Sequence, residues 1–202
     1  MSGRVTVKPE TFTLVPYPAD EIVAIVEDVA AVIGFPPAVE IELDVDEELF
    51  APLTGHMSDV VDGRAVIWIS GANFEDKKKP RHFSADQARD DLTVALLRAK
   101  DRLSPDFAAT PSEAQLSRAE RAAWDVWAHG RAGRLGVPIR RQALLYEYRL
   151  QHGFTDVADA AFDRLLAADT MTWDGLREVC RETGAVDRPP SKVPVDLLRG
   201  QS

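Results

Sequence analysis

The stretch GHMSDVVDGRAVIWIS, residues 55–70, and the segment SADQARDDLTVALLRAKDRL, residues 84–103, decide the fold between them. Asp62-Gly63 is a dipeptide that two-residue hairpin turns favour, because both central positions need a positive φ that these residues tolerate. His56–Val61 and Arg64–Ser70 flank it and read as the two strands of a hairpin. Ala65 to Ile69 is continuously apolar, which predicts a strand buried on both faces and placed inside the sheet. Ser84-Ala85-Asp86-Gln87 fits a capping box, in which serine and glutamine satisfy each other's backbone donors. The helix it opens carries Ala88, Leu92, Ala95, Leu96, Ala99 and Leu103 on one face and is closed by Ser104-Pro105. A helix of about 19 residues is roughly 28 Å long, enough to cross a small sheet.

Upstream, residues 1–18 contain Pro9, Pro16 and Pro18 and read as an extended lead-in. Asp20 is the expected N-cap of a helix whose stripe is Ile22, Ile25, Val26, Val29 and Ile33, with Gly34 taking the left-handed position that ends it. Val39 to Val45 alternates apolar and acidic residues, the pattern of a half-buried strand with a solvated acidic face. Gly71 to His82 reads as a loop whose Lys77-Lys78-Lys79 tip is solvated.

Downstream of Pro105 the chain reads as helical throughout. Thr110-Pro111-Ser112-Glu113 is the expected start of a helix with the stripe Leu116, Ala119, Ala123 and Trp127, which Gly130, Gly133 and Gly136 weaken and end. Pro138 is expected to open a helix facing its core with Ile139, Ala143, Tyr146 and Leu150, ended by His152-Gly153. Thr155 caps the next, with Val157, Ala161, Phe162 and Leu165, and Thr172 caps the last. The tail from Asp187 is expected to be extended.

Composition narrows the function classes. The net charge is −9, with thirteen acids against two bases in residues 1–62 and nine bases against six acids in residues 63–105. That balance argues against non-specific nucleic-acid binding, which requires phosphate neutralisation. No segment approaches the ~20 apolar residues of a membrane span, Met1 to Glu10 lacks the apolar core of a secretory signal, and a cytoplasmic location is expected. Cys180 is the sole cysteine, so neither an internal disulfide nor a cysteine-based metal cage can form. Gly-x-Ser-x-Gly, the P-loop and Gly-x-Gly-x-x-Gly are all absent from the sequence.

The order helix, strand, hairpin, long helix, further helices resembles that of small zincin-type metallopeptidases, over residues 20–155. The branch in question holds phage-repressor-cleaving peptidases and radiation-response regulators. Arg81-His82-Phe83-Ser84 stands where those proteins carry an R-F-T-like lead, and Glu120-Arg121-Ala122-Ala123-Trp124 where they carry E-R-x-A-x. Leu135-Gly136-Val137-Pro138 through Gly153-Phe154 is similar to their helical tail. The resemblance implies a long helix bearing H-E-x-x-H, two histidines for zinc and a glutamate to activate water. That motif is missing here. Alignment from the cap places Gln87 and Asp91 at the histidine positions and Ala88 at the glutamate. Alignment on the internal leucine sets Asp90-Asp91-Leu92-Thr93-Val94 against it.

The expected fold class is therefore α+β, a small mixed or antiparallel sheet with flanking helices of zincin-like order. Residues 1–105 form this part, residues 106–186 a helical part packed on it, and residues 187–202 an extended tail. The expected function is that of a catalytically inactive metallopeptidase-like scaffold with a binding or regulatory role and no cofactor. One alternative is a metal-dependent hydrolase with carboxylate ligands, for which Asp86, Asp90, Asp91 and Glu120 are the candidates, since hard cations favour oxygen donors. The other is a DNA- or protein-binding regulator acting through the helical half. His82, Trp124, Arg140 and Arg141 are the candidate binding residues. A protein partner is expected, rather than nucleic acid or a membrane.

Overall fold

The computed structural model describes residues 4–185. It is an α+β protein in which, among the described residues, six α-helices accompany a four-stranded mixed sheet and a two-stranded ribbon. The chain divides into two compact units. One runs through Ala108 and includes Gly136–Pro138; the other comprises Ala109–Leu135 and the residues from Ile139 onward.

The first unit holds β1 (Val5–Lys8), α1 (Ala19–Val32), β2 (Ile41–Asp46), β3 (His56–Val61) and β4 (Arg64–Ser70). The sheet order is β1-β2-β4-β3, with β1 and β4 parallel to β2 and β3 antiparallel to β4 at the edge. The register sets Val5, Ile41, Ala65 and Val60 in one row and Val7, Leu43, Ile67 and Ser58 in the next. Because side chains alternate with period two, these rows share one face of the sheet. Both α1 and α2 (Ala85–Arg102) pack against this sheet. Ser58 is buried there and donates its hydroxyl to the Ala95 carbonyl of α2 at 2.9 Å, so its own oxygen enters the core paired.

The opposite face is polar. Glu42 accepts ion pairs from Lys8 at 2.8 Å and Arg64 at 3.4 Å, exposed contacts that contribute little stability. Val66 and Trp68 on the same face are half-buried. Strand β4 is inner, as its apolar run predicts, yet it is covered on one face only.

Several local expectations are corrected. The lead-in contains β1, a strand that pairing with β2 organises. Helix α1 starts one residue before Asp20, which falls with Glu21 in the first turn rather than at the cap. Gly34 ends it at φ 63°, with Gly34 N–H donating to Ala31 and Phe35 N–H to Ala30. Gly71 to His82 is structured: a 3₁₀ turn over Gly71–Phe74 leads into β5 (Glu75–Asp76) and β6 (Lys79–Phe83). Ser84 does cap α2, accepting from Gln87 N–H at 3.3 Å. The predicted stripe is fully buried from Ala88 to Ala99, with Leu103 as the C-cap.

The second unit contains α3 (Arg118–Arg134), α4 (Arg141–His152), α5 (Asp156–Ala167) and α6 (Trp173–Glu182). Pro111 opens no long helix. Residues Glu113–Gln115 make one 3₁₀ turn, and α3 begins after Ser117, whose capping box with Glu120 closes at 3.2 and 2.8 Å. Gly130 and Gly133 lie inside α3 instead of ending it. A Cβ at Gly130 would meet the Leu166 carbonyl oxygen at 2.1 Å, and one at Gly133 the Ile139 Cδ1 at 2.2 Å, so both glycines permit close packing. Trp124 lies 6.0 Å from Trp173 between ring centres, and Trp127 Nε1 donates to the Ala168 carbonyl at 3.1 Å.

Helix α4 turns the unexpected way. Leu145, Tyr148 and His152 are its buried residues, whereas Ala143, Tyr146 and Leu150 face out. In α5 Thr155 caps the helix as predicted, accepting from Ala158 N–H at 3.2 Å, but Ala158 replaces Val157 on the buried face. Thr172 caps α6 by accepting from Gly175 N–H at 3.0 Å. The tail expected from Asp187 lies outside the described residues.

Candidate functional site

The N-terminal half of α2 and the loop that precedes it form the place where the zincin-type reading requires chemistry. Ser84 fixes the first turn, where Asp86 is exposed and complements the positive end of the helix. Asp90 is one turn on, sharing a face with Asp86. Its carboxyl is held above the ordinary range, first by burial and then by the Asp86 charge, while Lys77 pulls the other way.

Asp91 is engaged by the protein itself. Asn73 donates Nδ2–H to its Oδ2 at 2.8 Å and accepts Gly55 N–H on Oδ1 at 2.9 Å. One buried amide therefore clasps the start of the hairpin to α2. Beside it Glu75 is buried, accepting Arg81 N–H at 2.9 Å and lying 3.4 Å from the Tyr17 hydroxyl, which also reaches the Gly71 carbonyl at 3.0 Å. Burial, reinforced by the Glu75 charge, raises the Tyr17 hydroxyl well above the usual phenol range. Its ring sits among Phe12, Phe74 and Phe83. Arg81 adopts φ 61°, a conformation few L-residues hold, and stacks its guanidinium 4.8 Å from the Phe50 ring.

Both alignments to the zincin motif place buried apolar residues at required positions. In the first alignment the catalytic glutamate is replaced by Ala88, which is fully buried and packs into the core. In the second, Val94 stands at a ligand position and is buried too. Glu120 belongs to the second unit, where its carboxylate closes the α3 capping box. Among the described residues no group of three or more His, Cys, Asp or Glu is arranged to hold a metal ion. The residues present do not fit a zincin centre.

The remaining candidates scatter. His82 is exposed on β6, with Nδ1 3.1 Å from the Pro80 carbonyl. Trp124 is fully buried, which removes it from any binding surface. Arg140 is exposed immediately before α4, and Arg141 is paired with Asp163.

A further polar residue, absent from the candidate site residues above, is buried in the second unit. His152 places Nε2 3.0 Å from the Ala119 carbonyl and Nδ1 2.8 Å from the Thr183 hydroxyl. Its ring stacks on Tyr148 at 4.0 Å between centres. Burial lowers its pKa, against a smaller opposing effect of the Ala119 hydrogen bond. A histidine before a glycine reads from sequence as a helix terminus alone; its burial depends on where α3 and α6 lie.

Neither a protein-family model, nor a characterised protein, nor a solved structure matches this chain.

Proposed function

We propose that this protein is a catalytically inactive, metallopeptidase-like scaffold that works by binding a partner rather than by hydrolysis. The observation that carries the reading is the state of α2: Ala88 is sealed in the core and Asp91 accepts a hydrogen bond from Asn73. Water activation by a zincin requires a glutamate and two imidazoles facing an open cleft; α2 has no histidine, and the glutamate position of the cap alignment is the buried Ala88. The order helix, strand, antiparallel-edged hairpin, long helix supports the scaffold half of the proposal.

A carboxylate-ligated hydrolase is the competing reading, and the raised Asp90 carboxyl beside Asp86 is what favours it. Elemental analysis of the purified full chain, with a general peptidase assay before and after EDTA, separates the two. Substoichiometric metal and no EDTA-sensitive cleavage are expected. Stoichiometric metal together with cleavage that EDTA abolishes and metal restores would overturn the scaffold reading.

A further inference from the structure

Helix α4 is apolar on two faces, and only one of them is used inside the unit. Leu145 and Tyr148 are buried, while Tyr146 and Leu150, four residues apart, stand 55% and 43% exposed. Phe154, 62% exposed, packs its ring edge-on to Tyr146 at 6.0 Å between centres, and Val157 at the start of α5 is 49% exposed. Tyr146, Leu150 and Phe154 thus share one surface of the helical unit, and Val157 is exposed at the start of the next helix. Single exposed leucines need no explanation, but large apolar side chains grouped on one helix face offer a surface for a partner.

The rim around the patch indicates its occupant. Arg140 and Arg141 stand at the N-terminal end of α4, and Asp156 stands just past its C-terminal end. Among the described residues Arg140 and Asp156 are exposed and have no ion-pair partner, whereas Arg141 is paired with Asp163. One end of the patch is therefore basic and the other acidic. A twofold axis passing between Tyr146 and Leu150 would run α4 antiparallel to its copy. It would set Tyr146 against Leu150 of the second copy and bring Arg140 of one copy toward Asp156 of the other. Such self-complementarity is what an isologous interface requires.

We propose that the exposed face of α4, with Phe154 and Val157, is a homodimer interface in which a second copy of this chain is the partner. It rests on none of the residues invoked for the scaffold reading and stands or falls separately from it.

The test is sedimentation of the full chain over a wide concentration range, with far-UV circular dichroism as the folding check. A concentration-dependent monomer–dimer equilibrium is expected. Leu150→Asp, a change at an exposed position, is expected to leave the fold intact and to weaken the dimer by roughly thirtyfold or more, the effect of losing one anchor. Arg140→Glu and Asp156→Arg are each expected to weaken it, and the two combined to restore it. A chain that remains monomeric at every concentration overturns the proposal, assigning the patch to some other partner. So does a dimer that Leu150→Asp leaves untouched, or one in which the double charge reversal gives no rescue.

Discussion

The imidazole of His152 stands 2.8 Å from the Thr183 hydroxyl while its other nitrogen faces the Ala119 carbonyl at 3.0 Å. A carbonyl accepts only, so Nε2 carries the proton, and in the neutral ring Nδ1 is left to accept from Thr183. Protonation would force Nδ1 to donate instead, turning the Thr183 hydroxyl back onto the carbonyls of Val179 and Cys180, which it also reaches. Because burial lowers the folded pKa below the ordinary 6.5, the unfolded chain binds the proton first. The stabilisation is therefore complete above about pH 6.5 and is lost as pH falls from there through the folded value, by at most ~1.4 kcal/mol per pH unit. Thermal melts between about pH 8 and 5 are expected to show this slope. His152→Gln is expected to flatten it; an equal slope in the variant would refute the assignment.

Gly130→Ala and Gly133→Ala are chemically the same change and are expected to differ sharply. At Gly130 the added methyl meets backbone, the Leu166 carbonyl oxygen, which cannot retreat without moving α5. A loss of roughly 2–3 kcal/mol is expected in urea unfolding, against a helix-propensity gain of about 1 kcal/mol. At Gly133 the obstacle is the far end of the Ile139 side chain, which can rotate away. That variant is expected to stay within about 1 kcal/mol of the parent.

Restoring a zincin motif on α2 is expected to fail at one position in particular. Ala88→Glu places a carboxylate in the core and is expected to cost several kcal/mol, or to prevent folding. Gln87→His, on a half-buried residue, is expected to cost much less. Asn73→Ala, which leaves the Gly55 N–H unpaired and takes a donor from Asp91, is expected to cost about 1–3 kcal/mol. Chemical denaturation of the three variants ranks them. A well-folded Ala88→Glu protein would mean that the position opens to solvent.

Glu120 is expected to behave as a helix cap. Ser117→Ala and Glu120→Ala should each lower stability by about 1 kcal/mol and leave any bound metal unchanged. A fall in metal content with Glu120→Ala would return it to the ligand list.

The legible parts of this fold were those set by neighbouring residues. Asp62-Gly63 turns the hairpin with φ values of 50° and 78°, and Ser84, Thr155 and Thr172 cap helices where the sequence places them. Strand β1 escaped because four residues carry little periodicity, and Val5 and Val7 gain their meaning only opposite Ile41 and Leu43. Ser117-Arg118-Ala119-Glu120 is a readable capping box, overshadowed by the similar Thr110-Pro111-Ser112-Glu113. For α4 the periodicity was real on both faces, and spacing alone cannot say which one meets the core. The candidate site divided in the same way. The missing H-E-x-x-H could be seen in the sequence, whereas the Asn73 clasp on Asp91 is a contact between separate elements.

The placement of the indoles makes the two units optically distinguishable. Three of the four tryptophans, Trp124, Trp127 and Trp173, lie in the helical unit, and Trp124 and Trp173 are 6.0 Å apart at an interplanar angle of 50°. Chromophores so close and so tilted couple, and near-ultraviolet dichroism from that pair reports the packing of α3 on α6. Trp68, on the polar face of β4, is the lone indole of the α+β unit. Replacing it with phenylalanine leaves a protein whose indole emission follows the helical unit alone, and the difference from the parent isolates the sheet.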